Sequence, residues 1–402
     1  MNFTVERLMK VLFIHNAYYR PSGEEQSAAA LASLLEENDH EVAWYRRGSN
    51  ELEGMRFGKL KAVFTSLHNP SAVHDVRKLL DSFQPDVVQV QNLYPLISPS
   101  VIPAINRMGL PVVMRCPNYR VFCPNGLFLE PKGQVCERCA GAGKELWCVV
   151  KNCERDGLKS TAYALRNAAT RLRGALLPQV DTFIVQSEFQ RQKFIDFGIP
   201  EHRLAILPGI LPAVTLPATP GLADDVTFVG RVSPEKGIHE FIAAARRLPD
   251  IPFVVAGGIA EELGIQDSPA NLSWKGFLQE EALNQQYLRS RIIVIPSTCY
   301  EGFPNVILRA MALEKPVITS RIGGLQDIVI DGVTGLHVTP GSSAKLAQAI
   351  AALYADAARC TQMGKAAKPI AEEQYRPEKI YQTLLAIYQQ ARTISQERKR
   401  AR

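Results

Sequence analysis

The chain has 402 residues, and its 46 Lys+Arg against 40 Asp+Glu leave a net charge of only +6. At about 150 residues per domain that length predicts two or three domains, each with its own core. With 46% hydrophobic and 21% charged residues, wholesale disorder is excluded. No apolar run approaches the ~18 residues that cross a bilayer, and MNFTVERLMK has no signal-peptide core, so a cytoplasmic protein is expected. The charge is too mild to argue for nucleic acid as a partner, although a basic patch against an anionic membrane is compatible with it. Eight cysteines are too few for a disulfide scaffold.

The first eight residues read as a poorly ordered extension. KVLFIH, Lys10 to His15, is the first apolar, β-branched run and reads as a buried strand. The loop NAYYRPSGEEQ, the helical pattern AAALASLLEEND and the strand HEVAWY follow, which together make a βαβ unit and a parallel sheet. PDVVQVQN, LPVVMRC and VDTFIVQS continue the alternation. The Pro- and Gly-rich passage from Leu207 to Asp225 then reads as a linker. Beyond it the alternation restarts: VTFVGR, a helix over Gly237 to Leu248, PFVVAGG, a helix near Glu280 to Ser290, and IIVIPS. A helix over Asn305 to Leu313, then PVITS and TGLHVT, complete that half. The fold class is therefore α/β. Residues 9–206 form one doubly wound domain with a Cys-rich insertion at 116–153, residues 207–225 the linker, and residues 226–376 a second doubly wound domain. A C-terminal helix and the basic tail QERKRAR, expected to be frayed and solvated, occupy 377–402. In such sheets ligands bind beyond the carboxyl ends of the strands.

Three loops of the second half follow strands. In GRVSPEKG, Gly230 to Gly237, Arg231 and Lys236 offer a planar fork and a point charge to a diphosphate; a charged surface turn is the plainer alternative. In CYEGFPNVILRAMALEKPVITS, Cys299 to Ser320, Glu301 precedes a helix whose first amides suit a phosphate. A carboxylate beside a phosphate seat makes sense for a sugar phosphate, since it accepts hydrogen bonds from sugar hydroxyls. Otherwise Glu301 merely caps a helix. GGLQDIVIDGVTGLHVTPG, Gly323 to Gly341, allows close backbone approach.

These segments, in this order and with the Gly257-Gly258 strand end between them, resemble retaining glycosyltransferases of family 4, which have the GT-B fold: two Rossmann-like domains facing a central cleft. The resemblance runs over nearly the whole chain from Met9. It implies a nucleotide-diphosphate sugar donor held mainly by the C-terminal domain, a glycan or lipid-linked acceptor held mainly by the N-terminal domain, and no catalytic metal. Carried over, Arg231 and Lys236 contact the diphosphate and Glu301 the donor sugar. Gly257 and the backbone of Gly302, Phe303, Asn305 and Val306 line the donor, and Gly23 and Glu24 approach the donor phosphate and the acceptor. Retention by front-face attack, with the leaving phosphate taking the acceptor proton, is the family's usual account.

Two positions depart from the family pattern. The motif is Glu, seven residues, Glu, and the second Glu holds the ribose; here that position is Arg309, which cannot accept hydrogen bonds. It is left to pair with a phosphate or with an acidic neighbour. Where many relatives carry a His that touches the donor sugar, this chain has Pro117, followed by Asn118, Tyr119 and Arg120, of which Asn118 is taken as donor-binding. A non-catalytic GT-B protein, binding nucleotide or a partner transferase, is the alternative that Arg309 raises.

Six of the eight cysteines fall between 116 and 153. Cys123, Cys136, Cys139 and Cys153 read as C-x12-C-x2-C-x13-C, whose C-x2-C core is a zinc-knuckle spacing. A structural zinc in an otherwise loop-like stretch is expected, with reduced thiols or a redox disulfide as alternatives. The seven histidines are scattered and form no helical ligand pair. In LKSTAYALRNAATRLRGALL, Leu158, Ala162, Leu165, Ala169, Leu172 and Leu176 share one face. Packing of that face into the core is the default expectation, and docking on an anionic membrane near a lipid-linked acceptor is the alternative.

Overall fold

The computed structural model describes residues 8–18, 23–53, 58–215, 223–258, 264, 265 and 267–400. Most of the expected N-terminal extension and part of the linker, 216–222, lie outside the described residues. The strands are β1 (Lys10–Ala17), β2 (Glu41–Gly48), β3 (Val87–Asn92), β4 (Val112–Arg115), β5 (Thr182–Val185) and β6 (Leu204–Ile206), then β7 (Asp225–Val229), β8 (Phe253–Ala256), β9 (Leu272–Trp274), β10 (Ser290–Ile295), β11 (Val317–Ser320) and β12 (Gly335–Val338). They form two sheets, ordered β2-β1-β3-β4-β5-β6 and β12-β11-β10-β7-β8-β9. Every ladder is parallel.

Parallel strands with helices on both faces must be apolar on both sides, and β3, β4, β5 and β8 are buried at every position. That explains why continuous runs such as VVMR and TFIV, with no polar alternation, become strands. Each sheet has one point where the winding reverses, between β1 and β3 in the first and between β7 and β10 in the second. The carboxyl ends of the strands at these points are where a doubly wound sheet binds ligand.

The final helix differs from expectation. It runs Pro377–Arg400, through the stretch expected to fray, and returns to the N-terminal sheet. Ile380, Leu384, Ile387, Tyr388 and Ala391, at helical spacing, join Val11, Phe13, Leu31 and Leu35 in one core cluster. Burying each large side chain there contributes about 1.5–3 kcal/mol. The tail is fixed by charge as well: Arg398 lies 3.1 Å from the buried carboxylate of Asp181. A solvated tail is therefore corrected to a docked helix end.

The helix Gly157–Leu172 reverses the expected orientation. Its buried residues are Ser160, Ala164, Arg166, Asn167 and Thr170, whereas Leu158, Leu165 and Leu172 are 86%, 52% and 76% exposed. Ala164 packs with Cys139 and Cys148, and hydrogen bonds dock the rest of the buried face. Arg166 Nη2 donates to the Pro124 carbonyl at 2.7 Å and Asn167 Nδ2 to the Arg120 carbonyl at 2.9 Å, while Ser160 Oγ donates to Asn152 Oδ1 at 3.1 Å. The polar side of this helix thus holds the segment Arg120–Pro124, and the leucine stripe is left outside.

Candidate active site

The loops after β7 and β10 meet at the switch point of the second sheet. Gly237 has φ 76°, and a Cβ there would lie 1.9 Å from the Pro296 carbonyl oxygen, so only glycine permits this approach. The Thr298 N–H also donates to the Glu235 carbonyl at 2.9 Å. This contact delivers Lys236 to Glu301: Nζ donates to Oε1 at 2.6 Å and to Oε2 at 2.9 Å. Ser297 Oγ donates to Oε1 at 2.6 Å. Burial pushes the Glu301 carboxyl up, but the Lys236 charge and these hydrogen bonds outweigh it and hold it below the usual carboxylate range. Burial likewise opposes the Lys236 charge, and Glu301 overrides it, so the ammonium titrates higher than usual. Both shifts describe one ionised pair.

Arg231 is exposed and ion-paired with Glu235, and its charge is felt at both Lys236 and Glu301. Gly257 closes β8, where a Cβ would lie 2.1 Å from the Gly230 carbonyl oxygen, so the visible requirement for glycine is close packing of two strand ends. The Phe303 ring is buried, its centroid 5.3 Å from that of Tyr375. The Val306 carbonyl accepts from Tyr287 Oη at 2.9 Å. Arg309 takes the acidic-neighbour option. Its guanidinium donates to Asn284 and, at 3.1 and 3.2 Å, to Glu280 on the helix Glu280–Arg289 of the same domain.

Across the cleft, Gly23 opens the helix Gly23–Glu36 with open space around it. Glu24 accepts from Tyr18 Oη at 2.8 Å. Burial raises its pKa, against the pull of Arg120, Tyr18 and Arg115. Asn118 Oδ1 accepts from the Arg120 N–H at 3.0 Å, and both Glu24 and Asn118 line one recess.

The two domains touch directly. Asn305 Nδ2 donates to Ser27 Oγ at 2.7 Å. A Cβ on Gly302 would stand 2.8 Å from Gln186 Oε1 and 3.3 Å from the Pro117 carbonyl oxygen. Tyr300 donates to Glu137 at 2.8 Å and packs its ring against Tyr119 and Phe189. Asp327 accepts from the Phe189 N–H at 2.7 Å. Sequence reading missed Ser297, Tyr300 and Asp327. Ser297 alone carried a local signal, as the first polar residue after β10 and four before Glu301.

Of the expected zinc ligands, Cys123, Cys139 and Cys153 come together, but with Cys148 in place of Cys136. Cys123 pairs with Cys139, whose S–H hydrogen bond lowers the Cys123 thiol to about 7, and Cys148 likewise lowers Cys153. Cys136 enters neither pair, and its N–H donates to the Phe128 carbonyl at 2.8 Å. Among the described residues no group of three or more His, Cys, Asp or Glu is arranged to hold a metal ion. The sulfurs form two pairs, not one centre.

Comparison with known proteins fits this architecture. Residues 22–209 match the glycosyl transferase 4-like domain and residues 220–369 the glycosyl transferases group 1. The chain is 30% identical over 221 residues to alpha-maltose-1-phosphate synthase of Mycolicibacterium smegmatis, covering 47% of this chain and 57% of that protein. It is 28% identical over 241 residues to lipopolysaccharide 1,2-N-acetylglucosaminetransferase of Salmonella typhimurium, covering 51% and 61%. The chain thus spans about half the length of the curated relatives it matches. Among solved structures, sucrose-phosphate synthase of Thermosynechococcus elongatus superposes with TM-score 0.70 at 18% identity, over 95% of this chain and 98% of that one. Anabaena HepE in complex with UDP-glucose superposes with TM-score 0.62 at 18% identity, over 96% and 100%. The two paired Rossmann-like domains and the two consecutive family matches give one conclusion: the chain belongs to the group 1 glycosyltransferases of GT-B fold.

Proposed function

We propose that this protein is a retaining glycosyltransferase that moves a sugar from a nucleotide-diphosphate donor to a glycan or lipid-linked acceptor in surface polysaccharide or glycoconjugate synthesis. The observation that carries the reading is the ion pair of Lys236 and Glu301 at the switch point, with Arg231 beside it and the start of the helix Asn305–Ala312 directly after. Arg231, Lys236 and the helix amides neutralise the charge that grows on the leaving diphosphate, so the transfer runs without a catalytic metal. Glu301, held ionised, accepts hydrogen bonds from donor-sugar hydroxyls. That HepE binds UDP-glucose supports a nucleotide-sugar donor. Incubating the protein with a panel of nucleotide sugars and candidate acceptors, and reading the anomeric configuration of any product by NMR, tests the proposal. A product of inverted configuration removes retention, and selective donor binding without hydrolysis or transfer favours the non-catalytic reading. That second reading rests on Arg309, whose side chain is committed to Glu280 and Asn284.

The proposed site of action is the inner membrane surface, reached peripherally. No helix among the described residues is long and apolar enough to cross a membrane. Among the described residues, however, seven of the thirteen exposed large apolar side chains belong to one region. They are Phe64, Leu146, Trp147, Val150, Leu158, Leu165 and Leu172, on the helix Gly157–Leu172 and on the helices Gly58–Leu67 and Leu146–Val150 that pack against it. An apolar face of this kind on the acceptor domain suits a lipid-linked acceptor.

For the Cys-rich excursion the proposal is a structural zinc, supported by the grouping of Cys123, Cys139, Cys148 and Cys153. It requires the two sulfur pairs to close around one ion. Metal analysis of the purified protein decides it: one equivalent of zinc supports the site, and a metal-free, stably folded chain removes it.

A further inference from the structure

The first sheet has its own switch point, between β1 and β3, and of the residues expected at the donor only Glu24 and Asn118 line the recess beside it. Gln91 lies on β3 and Arg115 ends β4. The pairing of Val90 with Met114 sets them side by side one residue further on. Each is 2% exposed. Both polar atoms of the Gln91 amide and Arg115 Nε are buried without a hydrogen-bond partner among the described residues. Arg115 makes no ion pair among the described residues and feels Glu24 only through space. Burial alone pushes its guanidinium down to about 10. A buried charge left unmatched is costly, and so is a buried amide with neither donor nor acceptor satisfied. Here the two are neighbours and face the same recess, which Arg120 and Glu24 also line. Two guanidiniums against one carboxylate leave a surplus of one positive charge.

Pro117, which lines the recess, stands against Gly302, and Ser27, on the helix that carries Glu24, bonds to Asn305. A ligand in it therefore lies next to the start of the donor-side helix, on the opposite wall from Arg231 and Lys236. We propose that this recess binds a phosphate group of the acceptor, with the Arg115 fork and the Gln91 amide N–H as donors. The Arg fork matches a tetrahedral oxyanion in two parallel hydrogen bonds, and the Gln91 amide supplies a third donor. Naming the ligand as the acceptor rests on the transferase reading; the anion site itself does not.

The test is the melting temperature of the full chain, titrated separately with inorganic phosphate, a hexose 1-phosphate and a short-chain prenyl phosphate. The expected result is a saturable rise of a few degrees, with an apparent dissociation constant at least tenfold weaker in Arg115→Leu. The same rise persists in Arg231→Ala. Whichever phosphate binds tightest separates a soluble from a lipid-linked acceptor. If Arg115→Leu does not fold, Gln91→Met keeps the volume and weakens the same titrations. Equal midpoints in wild type and Arg115→Leu overturn the proposal, as does a rise with glucuronate and none with any phosphate. UDP is run alongside: a rise lost in Arg231→Ala but kept in Arg115→Leu speaks to the donor reading alone, so the two can fail independently.

Discussion

The two walls of the cleft solve their electrostatics in opposite ways. On the C-terminal wall every charge at the switch point is already answered: Lys236 by Glu301, Glu301 also by Ser297, Arg231 by Glu235. On the N-terminal wall the Gln91 amide and Arg115 Nε are buried with no hydrogen-bond partner among the described residues. A wall that satisfies itself stays ordered while its donor is away, and a ligand must then compete with an internal partner. A wall left unsatisfied gives up stability in the empty state and gains more when the matching group arrives. Preorganisation and stored demand are two routes to the same cleft, and each fails differently when mutated.

The largest effect is expected at the satisfied wall. Lys236→Ala removes the charge proposed to meet the diphosphate, and transfer should fall by about 10²–10³-fold, measured as kcat with donor saturating. An unchanged kcat would detach Lys236 from the leaving group. The same pair gives a pH signature. Glu301 titrates below its unfolded value, so its contribution to stability is present above about pH 4.5 and is lost as pH falls through the folded value. Lys236 titrates above its unfolded value, so its contribution is present below about pH 10.5 and is lost only as pH rises past it. Glu301→Gln should therefore flatten the acid limb of the stability curve and leave its middle level.

Next is the joint that makes the pair. Gly237→Ala meets both a left-handed backbone and the Pro296 carbonyl at 1.9 Å, and should cost about 3 kcal/mol in denaturant unfolding. Gly23→Ala, with nothing within 4 Å, is the control. A mild Gly237→Ala would mean that the loops after β7 and β10 can separate without consequence. Arg309→Glu ranks below it. A carboxylate there regains hydrogen bonds to a ribose worth about 1.5–3 kcal/mol and loses a pair with the exposed Glu280 worth about 1 kcal/mol at most. Nucleoside diphosphate should then bind roughly fivefold tighter. Weaker binding would show that the bridge to the helix Glu280–Arg289 matters more than the ribose contact.

The contrast between the walls also explains what the sequence disclosed. Arg231, Lys236 and Glu301 stand on two strand-to-helix loops whose local patterns can be read directly, and the structure brings all three together. The recess of the N-terminal wall draws Glu24 from a helix start, Gln91 and Arg115 from two strands, and Arg120 from the loop that follows β4. Only the sheet order β1-β3-β4 makes them neighbours. Gln91 and Arg115 read merely as the ends of apolar runs, and no spacing announces that such a side chain will lack a partner. The same reason hid Tyr300, whose partners Tyr119, Glu137 and Phe189 belong to the other domain. Periodicity did find the final helix ahead of its basic tail. It could not find the dock of Arg398, because the anchoring Asp181 precedes it by more than two hundred residues.

The helix Gly157–Leu172 shows where periodicity misleads, and it carries the smallest predicted effect on the fold. An apolar stripe at helical spacing normally faces the core; here Ser160, Arg166 and Asn167 do so, because the irregular segment they hold offers carbonyls and amides to bond. A stripe that folding does not consume has another use or is a liability in water. Replacing Leu158, Leu165 and Leu172 together by Ser should leave stability within about 0.5 kcal/mol per site, since all three are exposed. Nucleotide binding should be unchanged, because the stripe lies on the N-terminal domain. Sedimentation with anionic vesicles, expected for the wild type, should be lost in the triple variant. Full vesicle binding by that variant would move the contact elsewhere, and a large loss of stability would mean that the leucines are covered by the fold after all.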